Sequence, residues 1–120
     1  MTRRFDVVSP DISARQLFAQ YFLARRRTSF VVARNRKFVG VVDAARLREV
    51  PKELWSKTPV SKIMATGVVP AKPGENAFSA LVKMLEQELE LLPVISDGKL
   101  VGVVEKQALA SVIQVKKEFS

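Results

Sequence analysis

Apolar positions along this chain follow two rhythms, and the pair of rhythms occurs twice. Residues 29–33 and 38–42 are short apolar runs separated by a polar turn, and residues 92–95 and 99–104 repeat the arrangement. Each pair predicts a β-hairpin. Asp97-Gly98 is a strong signal for a type I′ turn, which needs positive φ at both central positions; Arg34-Asn35-Arg36-Lys37 is a looser equivalent. Leu17, Phe18, Tyr21 and Phe22 recur at helical spacing, as do Phe78, Leu81, Val82, Leu85 and Leu89. Helices are therefore expected over residues 13–26 and 77–90, with these apolar and aromatic side chains in the core. A short strand precedes each helix, at Val7-Val8 and at Val68-Val69, with a proline-containing turn between. A second helix closes each unit, near residues 44–48 and 106–115.

Residues 30–43 match residues 92–105 in hydrophobicity, turn position and a shared glycine, Gly40 and Gly102 lying 62 positions apart. Upstream, Ser9-Pro10-Asp11 answers Lys72-Pro73-Gly74 at a spacing of 63, so one residue has slipped between them. The chain is a duplication. The expected fold class is α/β (α+β), two β-α-β-β-α repeats packed sheet to sheet with pseudo-twofold symmetry. Residues 1–48 form the first repeat, 49–59 a linker with two prolines and Trp55, and 60–120 the second repeat. A unit this small covers one sheet face poorly, which predicts that the copies fold as one body.

With 120 residues, 48% of them hydrophobic, a packed core is expected. No apolar run approaches the roughly 18 residues that span a bilayer, and no apolar stretch follows Arg3-Arg4, so neither a membrane span nor a signal peptide is expected. The chain has no cysteine and no histidine. That excludes disulfides, thiolate or imidazole zinc sites and nucleophile–histidine pairs, and no spaced Asp/Glu loop suggests calcium. The expectation is a sensing or recognition module that is not an enzyme. A net charge of +8 favours anionic partners or an acidic membrane face, or simply keeps the surface soluble.

Val60-Ser61-Lys62-Ile63-Met64 ahead of Val68-Val69-Pro70-Ala71-Lys72-Pro73, followed by Leu92-Pro93-Val94-Ile95-Ser96-Asp97-Gly98-Lys99-Leu100-Val101-Gly102-Val103-Val104, resembles a tandem pair of CBS domains, the Bateman module. The first copy carries the likeness through Phe38-Val39-Gly40-Val41-Val42. The linker, Val50-Pro51-Lys52-Glu53-Leu54-Trp55-Ser56-Lys57-Thr58-Pro59-Val60, and Tyr21-Phe22-Leu23 are similar to the CBS region behind membrane-embedded zinc proteases of the site-2 protease family. That narrower resemblance implies the cytoplasmic tail of a protease whose His-Glu-x-x-His site lies elsewhere. Pro and Trp in a linker also have a plain structural reading.

The resemblance implies adenosine ligands such as AMP or ATP in the clefts between the copies, with Val8, Val31, Asp43, Arg46, Val69, Pro93 and Glu105 as candidate contacts. In the family pattern a Ser or Thr after the glycine-containing strand contacts phosphate, and an Asp three residues later binds the ribose. Here those positions are Asp43 and Arg46 in one copy, Glu105 and Ala108 in the other. A carboxylate repels phosphate, and a lost acceptor costs roughly 1–3 kcal/mol. Ordinary nucleotide binding is expected to be weak, Asp43 and Glu105 serving instead as helix caps. Stand-alone nucleotide or anion sensing is the alternative function. Arg25-Arg26-Arg27 lacks interleaved aromatics and any reading motif, which argues against nucleic acid. Opposite charges at the matching helix ends, Arg25 to Arg27 against Glu86, Glu88 and Glu90, suggest a head-to-tail homodimer.

Overall fold

The computed structural model describes residues 4–118, which divide into two compact units, Asp6–Gly67 and a second that joins residues 4–5 to the chain from Val68 onward. In the first unit, β1 (Val7–Val8) pairs in parallel with β2 (Ser29–Arg34), which pairs antiparallel with β3 (Lys37–Asp43). Helix α1 begins at Ala14–Leu17 and α2 spans Ala44–Arg48. In the second unit β4 (Leu91–Ser96) pairs antiparallel with β5 (Lys99–Glu105), with α3 (Ala77–Gln87) before the hairpin and α4 (Lys106–Glu118) after it. The result is the mixed α/β fold expected, with two sheets.

The hairpins are superimposable in register. Val32 faces Gly40 and Val94 faces Gly102, and each pairing is followed by a β-bulge at the same place. Both turns have positive φ at their two central residues, Asn35 (51°) and Arg36 (68°), Asp97 (51°) and Gly98 (77°). The first turn is therefore as tight as the second and not a looser version. Arg36 takes up a left-handed conformation that glycine would adopt at less cost.

The one-residue slip is located in α1. Its cap, Ser13, lies 63 positions before the cap of α3, Asn76, whereas the left-handed residues that end the two helices, Arg26 and Glu88, are 62 apart. The extra residue is thus inside the helix, and Phe18–Leu23 is a π-helical segment. Its wider turn absorbs the insertion. Leu17 and Phe22 are consequently buried five residues apart where Ala80 and Met84 are buried four apart. Ser13 and Gln16 make a reciprocal capping box, and Asn76 accepts from the Phe78 and Ser79 N–H groups.

Several expectations change. Val68 and Val69 form no strand. Val69 is exposed, and its N–H and C=O bond instead to the Gln87 side chain at 2.6 and 3.1 Å. The residue of the second unit that pairs as Val8 does is Ala71, in an isolated parallel bridge with Val94. Helix α3 stops at Gln87 because Glu88 is left-handed. Phe78, Val82 and Leu85 lie on an exposed face of α3, Phe78 at 64% exposure, and not in the core. After Pro51 the linker winds into a 3₁₀ helix, Lys52–Lys57.

The first unit's core is Val8, Ala14, Leu17, Val32, Val42, Leu47 and Val60 with Phe22 and Phe30, supported by Trp55 and Tyr21. Val60 comes from beyond the linker. Its segment is laced down by Ala14 N–H to Thr58 C=O (2.8 Å), Val60 N–H to Ile12 C=O (2.8 Å) and Ser61 N–H to Pro10 C=O (2.9 Å). Among the described residues no helix is long and apolar enough to cross a membrane.

Candidate functional site

The end of β3 carries the most concentrated polar chemistry of the first unit. Asp43 is 4% exposed, the buried acidic residue of that core. One carboxylate oxygen accepts the Arg46 backbone N–H at 3.0 Å, capping α2, and the other pairs with the Arg46 guanidinium. The cap arises because Asp43 remains extended while α2 starts at the next residue. Across the ladder from Asp43 stands Ser29, whose buried hydroxyl has no hydrogen-bond partner among the described residues. Sequence reasoning missed Ser29; its antiparallel register with Asp43 was the available signal.

The corresponding corner of the second unit is different. Leu91, buried, stands across from Glu105, and Ala108 occupies the position of Arg46. Glu105 is half-buried at the end of β5. One copy therefore presents Ser29, Asp43 and Arg46 where the other presents Leu91, Glu105 and Ala108.

The remaining sequence candidates are scattered within their units. Val8 is fully buried in the helix-side core, and Val31, on the next strand and alternate face, is fully buried too. Pro93 is buried in β4 at the position matching Val31. Val69 is 54% exposed outside any strand. In the first unit the structure thus brings Asp43 and Arg46 into contact, and Val8 and Val31 onto adjacent strands.

Trp55 and its neighbours form a second feature. The indole lies against Phe18 (ring centroids 5.2 Å) and donates to Val50 C=O at 2.9 Å. With Phe22, Leu47, Arg48 and Lys52 these residues line a groove of about 470 Å³. In the second unit, Glu75 accepts from Lys83 Nζ (2.8 Å), the Lys72 N–H (3.0 Å) and the Ser79 hydroxyl (2.9 Å). Burial pushes the Glu75 carboxyl up, but these donors together more than offset it and hold it below its ordinary value. Among the described residues no group of three acidic side chains is placed to hold a metal.

The CBS domain family model matches this chain twice, over residues 1–53 and 60–115. Solved structures agree. CBSX2 in complex with AMP is 25% identical, covers 97% of this chain and 94% of its own, and has a TM-score of 0.76. The CBS domain pair of protein MJ0100, in complex with 5-methylthioadenosine and S-adenosyl-L-methionine, is 18% identical with 97% and 93% coverage and a TM-score of 0.82. The CBS domains of a transcriptional regulator from Streptococcus pneumoniae are 18% identical with 92% and 93% coverage and a TM-score of 0.73. No curated protein matches the chain by sequence.

Proposed function

The chain belongs to the CBS domain family as a tandem pair, and from that premise we propose a regulatory sensing and interaction module with little affinity for ordinary adenosine nucleotides. The observation that carries this reading is the Asp43–Arg46 pair. Both side chains at the positions where the family pattern meets phosphate and ribose are engaged with each other. A nucleotide in that pose would have to separate a largely buried ion pair and bring phosphate to a carboxylate. Two of the neighbouring structures hold adenosine compounds, so the same fold accommodates such ligands when the side chains permit.

Calorimetric titration with AMP, ATP and S-adenosylmethionine should give no dissociation constant tighter than about 100 μM. The double variant Asp43→Thr/Arg46→Asp, which installs the family pattern, should gain at least about tenfold for AMP. Micromolar binding by the unaltered chain would overturn the reading.

A second, narrower reading places this module on the cytoplasmic face of a membrane as the tail of an intramembrane zinc protease. The linker from Val50 to Val60 and Tyr21-Phe22-Leu23 support it. The same residues have structural work here, Trp55 closing over Phe18 and donating to Val50 C=O. An upstream reading frame of apolar helices with His-Glu-x-x-His decides it, and a frame without them removes it. For assembly we propose a homodimer that covers the exposed Phe78, Val82 and Leu85 stripe of α3, with basic Arg25 to Arg27 facing acidic Glu86 to Glu90 of the second copy. The stripe supplies most of the affinity, since exposed ion pairs contribute only about 0–1 kcal/mol each. Light scattering that shows a monomer at high concentration and low salt would refute it.

A further inference from the structure

The second unit has a cleft of about 290 Å³ whose wall is made of Ala71, Ala77, Ala80, Val94, Val104 and Leu109. These are the counterparts, one for one, of Val8, Ala14, Leu17, Val32, Val42 and Leu47, at a spacing of 63 before the helix insertion and 62 after it. In the first unit those six close around Val60 and are at most 3% exposed. In the second unit Ala77, Val104 and Leu109 are only half-buried. Two of the six are also smaller, Ala71 for Val8 and Ala80 for Leu17, which widens the space.

The backbone repeats the contrast. In the first unit Pro10 C=O, Ile12 C=O and Ala14 N–H hold the Thr58 to Ser61 strip. Their counterparts Pro73, Glu75 and Ala77 edge the cleft, and no described residue offers them that pairing.

We propose that this cleft is a peptide-docking site, and that its ligand is a segment that runs extended through a proline into a single 3₁₀ turn opened by a β-branched apolar anchor, of the chemistry of Thr58-Pro59-Val60-Ser61-Lys62-Ile63. The occupant of the sister cleft shows what such a site takes: one buried valine, with the flanking backbone bonded to the turn before the helix and to the helix's first N–H. This mode combines main-chain hydrogen bonds for affinity with one pocket for selectivity. The inference does not depend on the ligand reading at Asp43 and Arg46.

The test uses a fluorescein-labelled peptide of residues 57–65 titrated into the full chain, read by anisotropy, with amide chemical shifts recorded on the same samples. Saturable binding with shifts centred on Ala71, Ala80 and Val94 is expected. Ala80→Leu, which restores the sister copy's bulk, should weaken binding at least about tenfold, and so should aspartate in place of the peptide's valine. The peptide change keeps the test decisive if the Ala80→Leu chain does not fold. Absence of saturable binding up to about 1 mM, the weak end of specific recognition, would overturn the proposal. So would shifts confined to the first unit, which report exchange with the resident Val60 segment. Concentration-dependent shifts at the cleft without peptide would overturn it in favour of a second copy as the occupant.

Discussion

The two copies share a hairpin register, a bulge, a turn type and a helix-ending left-handed residue, yet among the described residues a segment like that of Val60 closes the helix-side core of the first copy and not of the second. Val60 and its laced backbone complete the first copy. The second keeps the same order of helices around its hairpin, with the first strand reduced to the Ala71–Val94 bridge, smaller residues and an open cleft. The difference teaches that the repeated element is the α-β-β-α frame, while the strand before it and the closure of its core are separate, added interactions. The chemistry at the strand ends differs too: in the first copy Asp43 at the end of β3 is paired with Arg46, and in the second the matching positions are Glu105 and Ala108.

The sharpest way to break this comparison is to empty the first core. Val60→Ala should cost about 2–3 kcal/mol, from lost burial plus a residual cavity, read as a lowered urea midpoint. A loss below about 0.5 kcal/mol would show that Val60 does not close the core. Gly40→Ala comes next. A Cβ there would lie 2.6 Å from the Ala65 carbonyl oxygen and 2.9 Å from Met64 Sδ, and the carbonyl is backbone. A cost of about 1–3 kcal/mol is expected, with loss of the Val41 N–H to Ala65 C=O bond by amide exchange.

Asp43→Ala removes a cap and strands a half-buried guanidinium, for about 1–2 kcal/mol. Equal stability of the variant would show that neither the cap nor the ion pair contributes to holding α2. Arg36→Gly should act in the opposite direction, adding about 1 kcal/mol by relieving a left-handed arginine, and should make the first hairpin turn resemble the second. The smallest effect concerns Glu75. Its folded pKa is depressed, so its stabilising contribution is present above the unfolded value of 4.5 and is lost as pH falls through the lower folded value. Glu75→Gln should remove that contribution at neutral pH, lowering the urea midpoint slightly there, and should flatten the acid limb so that variant and parent converge as pH falls below 4.5.

Much of the fold was legible because its signals are local. Asp97-Gly98 specifies its turn, Ala44–Arg48 follows a capping Asp43, and the Gly40 and Gly102 match set the register of both hairpins. The one-residue slip was visible as a change of spacing, but periodicity could not show that a π-helical turn would absorb it. The strand expected at Val68 and Val69 failed because apolar character does not reveal that a glutamine side chain will satisfy the backbone there. Asp43 was legible as a cap, whereas Ser29 was not legible as its neighbour, since strand pairing joins residues far apart in the chain.

What the sequence by itself determined is the duplication, the two hairpins with the helices that flank them, and the residues that follow the glycine-containing strands, Asp43 and Arg46 in one copy, Glu105 and Ala108 in the other. These depend on residue identity and spacing alone. Only the tertiary structure decided that Arg46 pairs with Asp43, that Val60 belongs to the first copy's core and that Phe78 faces outward. Each of those outcomes depends on which surfaces meet, and a surface's partner is chosen by packing across the whole unit, not by the residues beside it in the chain.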